Sequence, residues 1–190
     1  MKLKIYQIDA FTNEVFKGNY AAVIVLEKWL STELMQLIAT ENNLSETAFI
    51  KNVGKNNYEI RWFSPLIEID FCGHATLASA YVLFEQNSML DEVIFMASAV
   101  GSLKVSKAQS NYIKMTFPNR NPKEISSIPE ALTNGLSIEP KEVLLNQQAY
   151  FVIYENEEDV YLSKPDLEEL KKLAPYDVVV TAKSTEYDFI

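Results

Sequence analysis

Residues 75–84, ATLASAYVLF, carry no charge and are apolar on every helical face. Alanine and leucine favour helix, and a helix apolar all round does not lie on a surface, so this stretch calls for a place inside the fold. It follows directly on Cys72-Gly73-His74, while LIEIDF at 66–71 alternates as a strand does. CGH is therefore a strand-to-helix junction, and the single histidine of the chain stands at it.

The rest of the chain arranges itself around that helix. Residues 2–11 alternate apolar and polar, and YAAVIVL at 20–26 is a second strand after a turn at Lys17-Gly18-Asn19. Ser31 is a candidate N-cap for an amphipathic helix over 32–42 that ends at Asn42-Asn43. Strands at 47–52 and 58–63 flank a polar turn with Gly54 and Asn56-Asn57, a hairpin pattern stopped by Ser64-Pro65. Further strands are expected at 92–98, 102–106 and 111–117. NRNPKEISSIP then breaks the pattern, which places a boundary near 119–125 between a first lobe, 1–118, and a second segment, 126–190. That segment reads as a helix near 129–134, strands near 142–146, 149–154 and 159–162, a helix at 166–173 and a strand at 177–182, with no counterpart of the apolar helix. The acidic residues 155–159 read as a solvated turn, and Asp166, Glu168 and Glu169 as the first turn of a helix.

Composition bounds the partners. The 190 residues are 48% hydrophobic, enough for one large domain or two small ones. One cysteine excludes an internal disulfide, and the N-terminus lacks the apolar run of a signal peptide, so a soluble protein of the reducing cytoplasm is expected. No apolar stretch approaches the roughly 20 residues of a membrane span. A net charge of -9 opposes nucleic acid, whose binding relies on Lys and Arg.

Two groups of residues can carry chemistry. In LSETAF, Glu46 stands at a strand start among Leu44, Ala48 and Phe49, where desolvation can raise a carboxyl group into the range useful for proton transfer; the plainer alternative is a solvated strand-end carboxylate. In CGHAT, Gly73 permits close backbone approach, and His74 and Ala75 open a helix whose first amides lack internal acceptors, a geometry that binds anions such as a substrate carboxylate. His74 could donate or carry a proton there, or be a helix cap or satisfied core group. Cys72 is either a thiol activated by the helix start or inert packing. One His and one Cys give neither a recognisable zinc pattern nor a catalytic triad, and no phosphate-binding glycine loop occurs, so no metal and no cofactor are expected.

On these residues the chain resembles the phenazine-biosynthesis F-type (PhzF-like) isomerases, a family with the diaminopimelate epimerase-like fold. The matching segments are IDAFTNEVFKGN at 8–19, AAVIVL at 21–26, MQLIATENNLSETAF at 35–49, IRWFSP at 60–65 and EIDFCGHATLASA at 68–80. The resemblance implies an α+β fold of two pseudo-symmetric, barrel-like α/β lobes, each around a central helix, with the site in the cleft between them. It implies a cofactor-independent isomerase in a biosynthetic process, acting on a small carboxylate-bearing molecule, with Glu46 as the acid/base that moves a proton between carbons. His74 would line the site opposite it, amides around Gly73 and Ala75 would hold the carboxylate, and Ser45 and Asn19 would join the pocket. Relatives that racemise amino acids use paired thiols instead.

The pattern departs from that family in two places. Tyr20 stands where the family has proline after Gly-Asn, and the segment with which the family completes its second lobe has no counterpart after STEYDFI. If the polypeptide ends at Ile190, the second lobe is incomplete, activity is expected to be weak or absent, and self-association to a homodimer would cover exposed edges. The rival readings are a non-catalytic, truncated relative serving as a binding or assembly module, and an epimerase dependent on Cys72.

Overall fold

The computed structural model describes residues 2–117 and 119–190. The chain divides into two units, Met1–Pro118 and Asn119–Ile190. Pro118, part of the boundary pattern, lies outside the described residues.

The first unit opens with β1 (Ile5–Ala10), antiparallel to β2 (Asn19–Leu26). Helix α1 (Thr32–Asn42) leads to β3 (Thr47–Gly54), parallel to β2, and β4 (Asn57–Phe63) returns antiparallel to β3. After β5 (Glu68–Ile69), a short partner of β4, helix α2 (Gly73–Gln86) leads to β6 (Glu92–Ala97), parallel to β4. Antiparallel β7 (Gly101–Lys107) and β8 (Ile113–Met115) follow. Among the described residues the sheet order is β1-β2-β3-β4-β6-β7-β8, with β5 beside β4.

Helix α2 touches β1, β2 and β3 near one end of this sheet and β7 and β8 at the other, so the sheet curls around it. Its alanines are what permit the close approach: Ala75, Ala78 and Ala80 are buried with Val82, Leu83 and Phe84. The two buried hydroxyls spend their protons inside the helix, Thr76 on the Cys72 carbonyl and Ser79 on the Ala75 carbonyl, both at 2.7 Å. Tyr81 is the exception to the expected all-round burial, at 43% exposed.

The strands between the helices are buried on both faces. Ala21, Val23, Ala48 and Ile50 pack into the core around α2, whereas Ile24, Leu26 and Phe49 pack with Met35 and Ala39 of α1. That explains why β2 reads as a continuous apolar run. Helix α1 has the termini its sequence announces: Ser31 Oγ accepts the Leu34 amide at 3.3 Å, and Asn43 closes the helix in the left-handed region at φ 50°.

Two strand expectations shrink. The reading of 66–71 as a strand survives only at Glu68–Ile69, because Ser64 Oγ takes the amides of Leu66 and Ile67 into a turn. The strand expected at 111–117 is confined to Ile113–Met115, preceded by a short 3₁₀ turn at Gln109–Asn111.

The second unit holds a sheet of order β12-β11-β10-β9 among the described residues. It comprises β9 (Lys123–Glu124), α3 (Glu130–Gly135), β10 (Glu142–Leu145), β11 (Ala149–Ile153), α4 (Glu157–Leu162), α5 (Leu167–Leu170) and β12 (Asp177–Thr181). Leu132, Val143, Tyr150, Val152, Tyr154, Leu173 and Ala182 form its core. No counterpart of α2 occurs among its described residues. The strand expected at 159–162 is instead helix α4, and the acidic run forms its first turn, with Asp159 Oδ2 accepting the Asn156 amide at 3.3 Å. The helix expected over 166–173 is one turn of α-helix followed by a 3₁₀ turn at Lys171–Leu173, with Asp166 accepting the Glu168 and Glu169 amides.

Candidate active site

Two chain reversals converge in the first unit. Asn43 ends α1, and the chain runs through Leu44 and Ser45 to Glu46, whose carbonyl accepts the Ala22 amide at 3.0 Å. Glu46 is thereby fixed at the mouth of β3 beside β2. From the other side, Cys72 takes an extended conformation (φ -143°, ψ 112°) and α2 starts at Gly73. The first intrahelical bond runs from the Thr76 amide to the Cys72 carbonyl at 3.1 Å, so the amides of Gly73, His74 and Ala75 lie ahead of the helical ladder with the positive end of its dipole.

These reversals bring His74 Nε2 to 3.0 Å from Glu46 Oε2, with the side chains only 12% and 19% exposed. The separation is that of a hydrogen bond, yet the contact lacks the direction of one, and neither buried atom has another protein partner. On the other edge of the ring, Nδ1 lies 3.3 Å from Cys72 Sγ. The thiol is 7% exposed, and burial pushes it up to about 12; the Ala75 and His74 amides oppose that rise and the charge of Glu46 adds to it.

Glu46, Cys72 and His74 offer ligand atoms within 4.8 Å of one another. Within that cluster the imidazole turns Nδ1 to the sulfur and Nε2 to the carboxylate. The arrangement is a line of proton-bearing groups.

The other residues singled out by sequence have partners of their own. Ser45 donates its hydroxyl to the Tyr20 carbonyl at 3.3 Å, leaving lone pairs for any other partner. Asn19, next to Tyr20, is exposed at the first position of β2. Gly73 faces an aromatic wall that no motif announces: a Cβ there would meet the Phe117 ring at 3.4 Å. Phe117 packs edge-on against Phe71 at 5.6 Å, and Phe71 against Trp62 at 5.7 Å. Sequence spacing gives no sign that Phe117 reaches Gly73, because β6, β7 and β8 intervene.

Comparison with known proteins shows the family and the fold. The family profile described as phenazine biosynthesis-like protein matches residues 8–188. An uncharacterized isomerase of Pseudomonas aeruginosa is 42% identical over 190 residues, covering all of this chain and 72% of the relative. The crystal structure of a phenazine biosynthesis protein of the PhzF family from Enterococcus faecalis superposes with a TM-score of 0.87 at 42% identity, again over the whole of this chain and 72% of the other. The Bacillus anthracis PhzF-family structure, at 21% identity and a TM-score of 0.79, shares the fold. With a curled α+β sheet around an apolar helix, and with family similarity running through both units, the chain belongs to the phenazine biosynthesis-like (PhzC-PhzF) family, whose members include proteins named as isomerases.

Proposed function

We propose that this protein is an isomerase that moves a proton between carbons of a small, unsaturated carboxylic acid, with Glu46 as the proton carrier and no cofactor in the step. The observation that supports it most is the pair of buried atoms, Glu46 Oε2 and His74 Nε2, 3.0 Å apart and lacking a directed hydrogen bond. Polar atoms left in that state cost stability, and a ligand that hydrogen-bonds to both from the side would remove the cost.

The chemistry follows from the placement. The substrate carboxylate binds the amides of Gly73, His74 and Ala75 at the start of α2. Glu46 as carboxylate takes a proton from a carbon next to the π system; the C–H electron pair delocalises toward the bound carboxylate, and His74 and the helix amides stabilise the charge. The Glu46 carboxylic acid then returns the proton at another carbon, which restores the enzyme. In this reading Asn19 and Ser45, from the β2 start and the turn before Glu46, would complete the pocket, and the Phe71–Phe117 wall would offer an apolar face to the carbon skeleton.

The test is exchange of carbon-bound hydrogen in deuterium oxide, followed by proton NMR over a panel of small unsaturated carboxylic acids. Positioned acid/base groups contribute about 100- to 10,000-fold, so Glu46→Gln is expected to lose exchange by at least about 100-fold. Cys72→Ala is expected to lose less than Glu46→Gln does and to keep measurable exchange. Exchange that survives in Glu46→Gln and vanishes in Cys72→Ala would instead assign the proton to the thiol.

A further inference from the structure

Cys72 occupies the N-cap position of α2, where a Ser, Thr, Asp or Asn oxygen ordinarily accepts a first-turn amide. Its sulfur makes no such cap. It is turned instead to His74, with Sγ 3.3 Å from Nδ1, and this is the sulfur's one side-chain hydrogen bond among the described residues. The Cys72 carbonyl is already engaged twice, by the Thr76 amide and the Thr76 hydroxyl. The Ala75 and His74 amides act on the sulfur as donors, so the thiol's own proton has His74 Nδ1 as its side-chain acceptor, at the far edge of the imidazole from Glu46.

We infer that the Cys72 thiol donates its proton to Nδ1 of His74 and so holds the ring as the neutral Nε2–H tautomer, a positioning role for Cys72 that deepens, and rests on, the reading of Glu46 as proton carrier. Both ends of the line require the same tautomer. A buried thiol has a proton to give, and the imine lone pair of Nδ1 is its neighbour; the carboxylate beside Nε2 favours a hydrogen on that nitrogen. The rise of the thiol to about 12 keeps the proton on sulfur at neutral pH.

The consequence is a division of labour. With Nδ1 engaged, Nε2 is a donor and has no lone pair with which to take a proton from carbon. Glu46 is then the sole acceptor of the pair. Because Glu46 Oε2 lies off the N–H axis, the Nε2–H remains available to an oxygen of the substrate or of the developing anion. Without the thiol, the ring could turn its lone pair toward Glu46, and both groups would compete for one proton.

One histidine and one cysteine in the whole chain make both bonds directly readable. In the full chain without substrate, ¹⁵N NMR of histidine-labelled protein is expected to show a protonated Nε2 and an imine-type Nδ1. The S–H stretching band in the infrared is expected at lower frequency than that of a solvent-exposed thiol. In Cys72→Ala the Nδ1 resonance should shift toward that of an unbonded imine nitrogen and the Nδ1–H form should become populated, while Cys72→Ser, which restores a donor, should reverse both changes. A wild-type ring protonated at Nδ1, an imidazolium at neutral pH, or an S–H band at the unbonded frequency would overturn the inference, even if the variants failed to fold. Neither spectrum depends on turnover. The expected spectra without any carbon-bound exchange would sink the Glu46 reading alone, and exchange lost in Glu46→Gln with the wrong tautomer would sink only the Cys72 inference.

Discussion

At the scale of single residues, the proposed chemistry rests on groups kept from water. A carboxylate and an imidazole 3.0 Å apart at the start of a buried helix are poorly placed for stability and well placed for proton transfer. Cys72 contributes to stability in a way that pH exposes. Its thiol is raised from 9.0 to about 12 by burial, so between those values the unfolded chain binds fewer protons than the folded one. The stabilisation is therefore complete below pH 9 and is lost as pH rises through this window. Thermal melts from about pH 8 to about pH 11 should show wild type losing stability relative to Cys72→Ser, whose hydroxyl does not ionise. Parallel curves for the two proteins would contradict a buried, protonated thiol.

At the scale of elements, two glycines separate what geometry demands from what it tolerates. A Cβ at Gly18 would collide with the Ala10 carbonyl oxygen and stand 2.6 Å from Thr12 Cγ2, within the β1–β2 connection. Gly18→Ala should cost about 1–3 kcal/mol in urea unfolding, as overpacking does. At Gly73 the nearest atom would be the half-exposed Phe117 ring at 3.4 Å, so Gly73→Ala should stay within about 0.5 kcal/mol of wild type. Equal losses in both variants would show that the connection can relax around Gly18. The elements that frame the site were legible because their termini are written locally: Ser31 and Asn43 bound α1, and the apolar run after CGH could only be α2. Helix α4 was misread because Val160 and Tyr161 favour strand, while the acidic first turn and the Asn156–Asp159 cap win in context. The aromatic wall at Gly73 was not legible at all, because it joins Phe117 to Phe71 across β6, β7 and β8.

At the scale of the whole molecule, each unit has a core of its own, around α2 and α1 in the first and around Leu132 and Val152 in the second. The segment after Pro118 is exposed, and Arg120 offers trypsin a site there before the second sheet begins at Lys123. Limited trypsin digestion should cut first at Arg120 and leave a resistant fragment ending there; initial cuts at Lys51 inside β3 or at Arg61 inside β4 would contradict an independent first core. No helix among the described residues is long and apolar enough to cross a membrane. The family similarity over 8–188 runs through both units, and the proton chemistry proposed for Glu46 can be tested on one variant. In Glu46→Gln, binding and exchange should be measured together, by calorimetry and by deuterium incorporation, on a carboxylic acid that the wild type exchanges. Glutamine keeps the shape of the side chain and cannot carry the proton, so binding is expected to persist while incorporation falls by at least about 100-fold. Incorporation at the wild-type rate would show that Glu46 is not the proton carrier.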